Sequence, residues 1–311
     1  MIFAVRGILV ALGFFGVLYC LLSLLVVCLW RCAGSMCRNS RGLAGTLFGL
    51  RIFPLVGSAL VTLAFAFPAF LLLESGAIDE DAGTLIFSAC TILLFAAGLL
   101  RVVTAQASTS RVVADWSKGA RVLPTDATGK TLVTKPGLPP LLLSGVFTPT
   151  VLVSETAVGL LSPGELEIAV RHELGHVRSR DNLKKLILRA AAFPGMASLE
   201  RAWQEAAEFA ADEAAVSNGS EAIDLATALI KLCDLPPLQS PPVFTTGLVN
   251  LAELVKLRVE RLLAWDETSS RVRRMRWWWS LPAVVATVAF TVAHYGQVLW
   301  FTHQATEWFI H

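Results

Sequence analysis

The chain alternates between long uncharged apolar runs and stretches with the mixed patterning of a folded globular domain. Ile8–Trp30, Ile52–Leu73, Ala82–Leu100 and Trp277–Thr302 contain no Asp, Glu, Lys or Arg. Each has about the length that a helix needs to cross a bilayer, roughly 20 residues. The pattern predicts four membrane spans, at about 8–30, 52–73, 82–100 and 277–302. The first run is much longer than the ~7–15-residue core of a signal peptide, so it reads as a retained span.

Between the third and fourth runs the pattern changes. Ala120–Leu123, Thr131–Thr134, Leu141–Phe147 and Thr150–Ser154 are short apolar or β-branched runs punctuated by prolines, the signature of strands and turns. Helical periodicity follows. Ser162-Pro163-Gly164-Glu165 is a helix start, with a Ser cap, Pro in the first turn and Glu three after the cap. Further helices are expected over Asn182–Ala192, Ser198–Val216 (closed by Asn218-Gly219), Glu221–Cys233 and the amphipathic Leu248–Trp265. The predicted fold is an α-helical membrane protein with an inserted α+β domain. Residues 1–100 hold three spans, 101–276 one soluble domain, and 277–311 the fourth span and a short tail.

Composition agrees. The chain is 55% hydrophobic and 16% charged, and its net charge of +2 gives no reason to expect direct nucleic-acid binding. Arg31, Arg38, Arg41 and Arg51 cluster after the first run, whereas Glu74, Asp79, Glu80 and Asp81 follow the second. The positive-inside rule then puts the N-terminus, the acidic loop and the C-terminal tail outside an inner cell membrane, with 101–276 in the cytoplasm. Arg271, Arg273, Arg274 and Arg276 mark the inner end of the fourth span, and Trp277, Trp278 and Trp279 read as an interfacial anchor. The six cysteines show no paired metal spacing and no disulfide framework.

Candidate chemistry sits in the soluble segment. His172-Glu173-Leu174-Gly175-His176 places two imidazoles one helical turn apart on one face. That spacing suits one Zn²⁺, with Glu173 placed to act as a general base on water. A hydrolytic zinc site needs a third protein ligand. The next histidine is His294, inside the fourth apolar run, so the ligand is expected to be a carboxylate or, as second choice, a cysteine. The helix over 198–216 offers Glu205, Glu208, Asp212 and Glu213. Glu208 and Asp212 share a face, so one could bind metal while the other orients a ligating histidine. Spacing leaves Glu205 open as the alternative to Glu208. No tyrosine or spare histidine lies in the domain to stabilise an oxyanion, which leaves Arg201, Arg258 and Arg261 as candidates. Asp181 could orient the end of the helix or cap the next one. Thr150–Ser154 is a candidate sheet edge for pairing with an extended substrate, or an ordinary core strand.

HExxH followed by a helix bearing Glu208-Phe209-Ala210-Ala211-Asp212 resembles the gluzincin peptidases, and in particular the third-ligand motif of membrane CAAX-type and HtpX-type zinc proteases. By that resemblance Glu208 binds zinc and Asp212 supports the site from behind. The wider similarity is to the BlaR/MecR-type membrane metallopeptidases. It is carried by Pro149–Ser154, by Leu160–Leu166, by HELGHVRSRDN at His172–Asn182, by Ala228–Leu232 and by Arg258–Leu263. The layout of three spans, a cytoplasmic zinc domain and a fourth span is similar too. Only 31 residues, none apolar enough to span, separate His176 from Glu208, which fits the HtpX type less well.

The resemblance implies a zinc-dependent endopeptidase with one Zn²⁺ on His172, His176 and Glu208, and Glu173 as the catalytic base. The implied substrate is a protein or peptide, such as a cytoplasmic transcriptional repressor cut during signalling. Receptors of the BlaR type carry a penicillin-binding sensor after the fourth span. Here only His303–His311 follow, without a Ser-x-x-Lys and its companion motifs. The expected signal therefore comes from a separate sensor protein, the bilayer or the short loops. Two other functions fit the same residues: a housekeeping protease for damaged membrane proteins, and a non-enzymatic receptor or scaffold. The intact His172, Glu173, His176, Glu208 and Asp212 speak against the last.

Overall fold

A computed structural model describes residues 2–37, 43–73, 82–123, 130–235, 245–247, 252–265 and 293–310. It is mostly helical, with three helices long and apolar enough to cross a membrane and one small mixed sheet. The first is α1 (Ile2–Cys37). The second runs through α2 (Leu43–Val61), a π-helical stretch (Thr62–Ala66) and α3 (Phe67–Leu73). The third is α4 (Ala82–Trp116), which does not stop at Arg101 but carries on for four more turns. Residues 266–292, with most of the fourth apolar run and the Arg273-Arg274 and Trp277–Trp279 groups, lie outside the described residues.

The π-helical stretch has a local cause. Pro68 lacks the N–H that would bond the carbonyl of Ala64. That carbonyl instead accepts from the hydroxyl of Tyr295 at 2.9 Å, at the start of α11 (Tyr295–Ile310). Tyr295 thereby docks the last helix, its ring 5.7 Å from that of Phe65.

After α4 come β1 (Arg121–Val122), β2 (Lys130–Thr134), β3 (Leu141–Ser144), β4 (Thr150–Ser154), α5 (Glu155–Leu160), α6 (Pro163–Ser179), α7 (Asp181–Ala190), α8 (Ala197–Ala215), α9 (Gly219–Cys233), β5 (Thr245–Gly247) and α10 (Ala252–Leu263). The sheet order is β1-β2-β4-β3-β5, with β2 and β4 parallel and the other pairs antiparallel. Strand alternation sends Leu141, Leu143, Val151 and Val153 into the core under α6 and α9. Leu142 and Leu152 face the other way, against Trp116, Val112 and Val113 at the end of α4. A strand that is apolar on both faces belongs in the middle of a sheet. Of the two readings open for Thr150–Ser154, the core strand holds and the free edge does not: β4 is flanked by β2 and β3, and the sheet's edges are β1 and β5.

The capping box forms as the sequence predicts. Ser162 Oγ accepts from the Glu165 N–H at 3.3 Å, and Glu165 Oε2 accepts from the Ser162 N–H at 2.8 Å. Such a cap stabilises a helix start by about 1 kcal/mol. Asn218, expected to close the third soluble helix, instead opens the next one: its side chain accepts from the Glu221 N–H.

The apolar turn between α7 and α8 is inserted among the candidate spans. Tyr19 of α1 donates to the Ala191 carbonyl at 2.8 Å, and Arg51 of α2 donates to the same oxygen at 2.9 Å. The ring of Phe193 meets Tyr19 edge-on. On α4, Gly98 comes so close to α7 that a Cβ there would lie 2.2 Å from the Ala190 carbonyl oxygen. Met196, Leu199 and Trp203 continue this core with Val26, Val27 and Leu47.

Candidate metal centre

Two helices build the site, and their close approach determines it. Gly175 of α6 faces Ala211 of α8, where a Cβ would sit 3.3 Å from the Ala211 Cα. Ala207, Ala211 and Ala215 recur every fourth residue, so α8 presents small side chains to α6. This leaves Glu208 and Asp212, one helical turn apart, directly over the two histidines of α6.

The Nε2 atoms of His172 and His176 are 3.3 Å apart. Glu208 places Oε2 3.5 Å from His172 Nε2 and Oε1 3.6 Å from His176 Nε2. Ligands bound at 2.0–2.1 Å in a tetrahedron stand roughly 3.3 Å from one another. Three donors already at nearly that separation form a preassembled face of such a site. His172, His176 and Glu208 are all buried and could hold one metal ion. The donor set of two imidazoles and a carboxylate suits Zn²⁺, with one position open.

Each histidine is oriented from behind by a carboxylate. Asp212 Oδ1 lies 2.9 Å from His172 Nδ1, and Asp181 Oδ2 lies 2.7 Å from His176 Nδ1. Burial pushes both aspartates up, but their cationic partners outweigh it and hold both below the usual range: Arg258 and His172 for Asp212, His176 and Lys184 for Asp181. An ionised carboxylate can only accept, so each Nδ1 carries the hydrogen and each Nε2 is the atom turned to the metal position. Asp181 therefore orients a candidate ligand as well as starting α7. It is held in place by Lys184, whose Nζ is 3.0 Å from its second oxygen.

The charges are tightly coupled. Burial would raise the Glu208 carboxyl, but His176, His172 and Arg258 hold it well below the usual carboxylate range. His176 is pushed up to about 10, because Glu208 and Asp181 outweigh the burial that would lower it. Burial raises the Glu173 carboxyl, with only partial relief from His172 and His176. Glu173 is fully buried, and neither of its oxygens has a hydrogen-bond partner among the described residues. An orphaned buried carboxyl costs energy, and such groups are characteristic of functional sites.

Arg258 is the residue that spacing could not place. It sits on α10, is 1% exposed, and clamps Asp212 with Nε at 2.8 Å and Nη2 at 2.6 Å. Its Nη1 is 3.1 Å from Glu208 Oε2. Of the other two arginine candidates, Arg261 pairs with Glu213 at 2.7 Å and lies over the Phe209 ring, and Arg201 is exposed. Glu205 is only partly buried and stands outside the donor group. No protein-family model matches the chain, and no curated protein matches it significantly.

Proposed function

We propose that the chain is a membrane-embedded, zinc-dependent endopeptidase of the gluzincin type, similar to the BlaR/MecR-type metallopeptidases. The observation that carries this is the buried trio His172, His176 and Glu208 beside the unpartnered carboxyl of Glu173. Zinc bound there would polarise the scissile carbonyl and acidify a water. Glu173, whose carboxyl burial raises, would serve as the general base that takes a proton from water and hands it to the leaving amine. Asp212 and Asp181 hold the two imidazoles in the ligating tautomer, and Arg258 fixes Asp212. The proposed substrate is a cytoplasmic protein, such as a repressor, cut when a signal arrives through the spans.

Zinc content of the detergent-purified full chain tests this. Stoichiometric zinc is expected in the unaltered protein and in Glu205→Ala, and its loss in Glu208→Ala. Glu173→Ala should keep zinc and lose peptide hydrolysis. A well-folded chain that takes up no zinc would overturn the peptidase reading in favour of a receptor or scaffold.

A further inference from the structure

A cavity of about 330 Å³ opens at the C-terminal end of α6, and His176 is part of its lining. Its lining includes Val146, Phe147 and Pro149 of the turn between β3 and β4, with Val177 of α6 and Leu183 of α7. We propose that this cavity is a subsite for a bulky apolar side chain of a peptide substrate, with Arg180 at its rim binding a neighbouring carboxylate. The proposal rests on the peptidase reading above and specifies which peptides that site accepts.

The turn is built rather than loose. Gly145 has φ 97°, and a Cβ there would meet the Thr148 carbonyl oxygen at 2.5 Å, so the tight turn requires glycine. Asn182, the second residue of α7, donates its side-chain amide to the Gly145 carbonyl at 3.0 Å. The rim is thus tied to the same segment that supplies Asp181. On this fixed turn Phe147 is 84% exposed, more than any other large apolar side chain among the described residues. A single exposed apolar residue carries no meaning by itself. Here it lines a cavity with the aliphatic side chains of Leu143, Val146, Val177 and Leu183, beside the polar His176, Arg180 and Asn182.

Continuity with the metal centre identifies the occupant. His176 belongs both to the lining of this cavity and to the candidate metal group, so a side chain filling the cavity packs against a residue of that group. Arg180 adds the second element. It is the lone residue joining α6 to α7, and its exposed side chain makes no ion pair with a described residue. A guanidinium at the edge of an apolar pocket suits a carboxylate next to an apolar residue.

The test uses the zinc-loaded full chain and peptidyl hydroxamates, which pair a zinc-binding group with one variable side chain. Leu or Phe at that position should bind at least about tenfold tighter than Ala. Phe147→Ala, at an exposed position that leaves the core untouched, and Leu183→Trp, which fills the cavity, should both reduce that gap to within about threefold without loss of zinc. Arg180→Gln should abolish a preference for Glu over Gln at the next residue. Equal binding of Leu and Ala probes, or a gap that survives Leu183→Trp, would overturn the subsite while leaving the peptidase reading intact. Equal binding of Glu and Gln probes to the unaltered chain would remove Arg180 from it. Failure to retain zinc, or to bind any hydroxamate, would overturn both.

Discussion

Arg51, midway along α2, donates from Nε to Glu200 Oε1 at 2.8 Å and is itself only 1% exposed. The same guanidinium reaches the carbonyls of Leu188 and Ala191. One buried cation therefore joins a candidate span to the end of α7 and the start of α8. Two turns further along α8 stands Glu208. The helix that carries the third candidate ligand is anchored directly on the apolar bundle.

Arg51→Ala should be among the most damaging single substitutions in the chain. It leaves Glu200 unpaired and takes one donor from each of two buried carbonyls, a loss of about 3 kcal/mol. Glu200→Gln, at a side chain 32% exposed, should cost only about 1 kcal/mol. Thermal melts in detergent compare the two. Equal melting temperatures for Arg51→Ala and the unaltered chain would show that the anchor contributes nothing.

Gly98 offers a steric test of the same junction. Alanine there drives a methyl group into the Ala190 carbonyl, so α4 and α7 must separate. The expected cost is about 1–3 kcal/mol. Gly49 on α2 is the control, since a Cβ there meets nothing within 4 Å and alanine should stabilise the helix by up to about 1 kcal/mol. If both variants shift the melting temperature in the same direction, the close approach of α4 to α7 is refuted.

Glu165 gives a pH-dependent prediction away from the metal centre. Burial pushes its carboxyl up, but Lys231, with Nζ at 2.7 and 2.9 Å, and the Ser162 N–H more than compensate, so it ends below its ordinary value of 4.5. A lowered folded-state value means stability that is present above the ordinary value and lost as pH falls through the folded one. Glu165→Gln should therefore cost about 1–2 kcal/mol near neutral pH. Its melting temperature should converge on that of the unaltered chain as pH falls below 4.5. A gap that stays constant with pH would mean that the charge is irrelevant there.

What the sequence made legible was local. The box at Ser162–Glu165 and the pairing of His172 with His176 depend on spacings of three and four residues, which a helix fixes by itself. The choice of Glu208 over Glu205 was not local. It depends on the phase of α8 against α6, set where Gly175 meets Ala211. Arg258 reaches Asp212 across 46 residues of chain, and no periodicity records that. Thr150–Ser154 could be read as an edge or as a core strand, and the choice depends on pairing with β2 across the intervening β3, which strand patterning does not record. The three-residue β5 is too short to stand out beside its prolines. The turn at Ala190–Gly195 showed only as the end of the helix expected over Asn182–Ala192, although its apolar composition is what lets it sit among the candidate spans.

The proposed zinc would compete with a proton for His176. In the metal-free chain its value is pushed up to about 10, so it holds a second proton near neutral pH, and Nε2 must lose that proton to become a ligand. Zinc affinity should thus rise with pH, by up to about tenfold per unit between about pH 6.5 and about pH 8.5, with roughly one proton released per ion. The stability sign is opposite. A raised folded-state value stabilises the metal-free fold fully below the ordinary 6.5 and less and less as pH climbs towards about 10. The melting-temperature gain on adding zinc should therefore widen as pH rises. Asp181→Asn removes the carboxylate that holds the Nδ1 hydrogen, and should weaken zinc binding by about 10–100-fold while flattening its pH dependence. Competition with a chromophoric chelator measures the affinity, and calorimetry in two buffers of different ionisation enthalpy counts the protons. An affinity that does not change over this range would show that His176 is already neutral before the metal arrives.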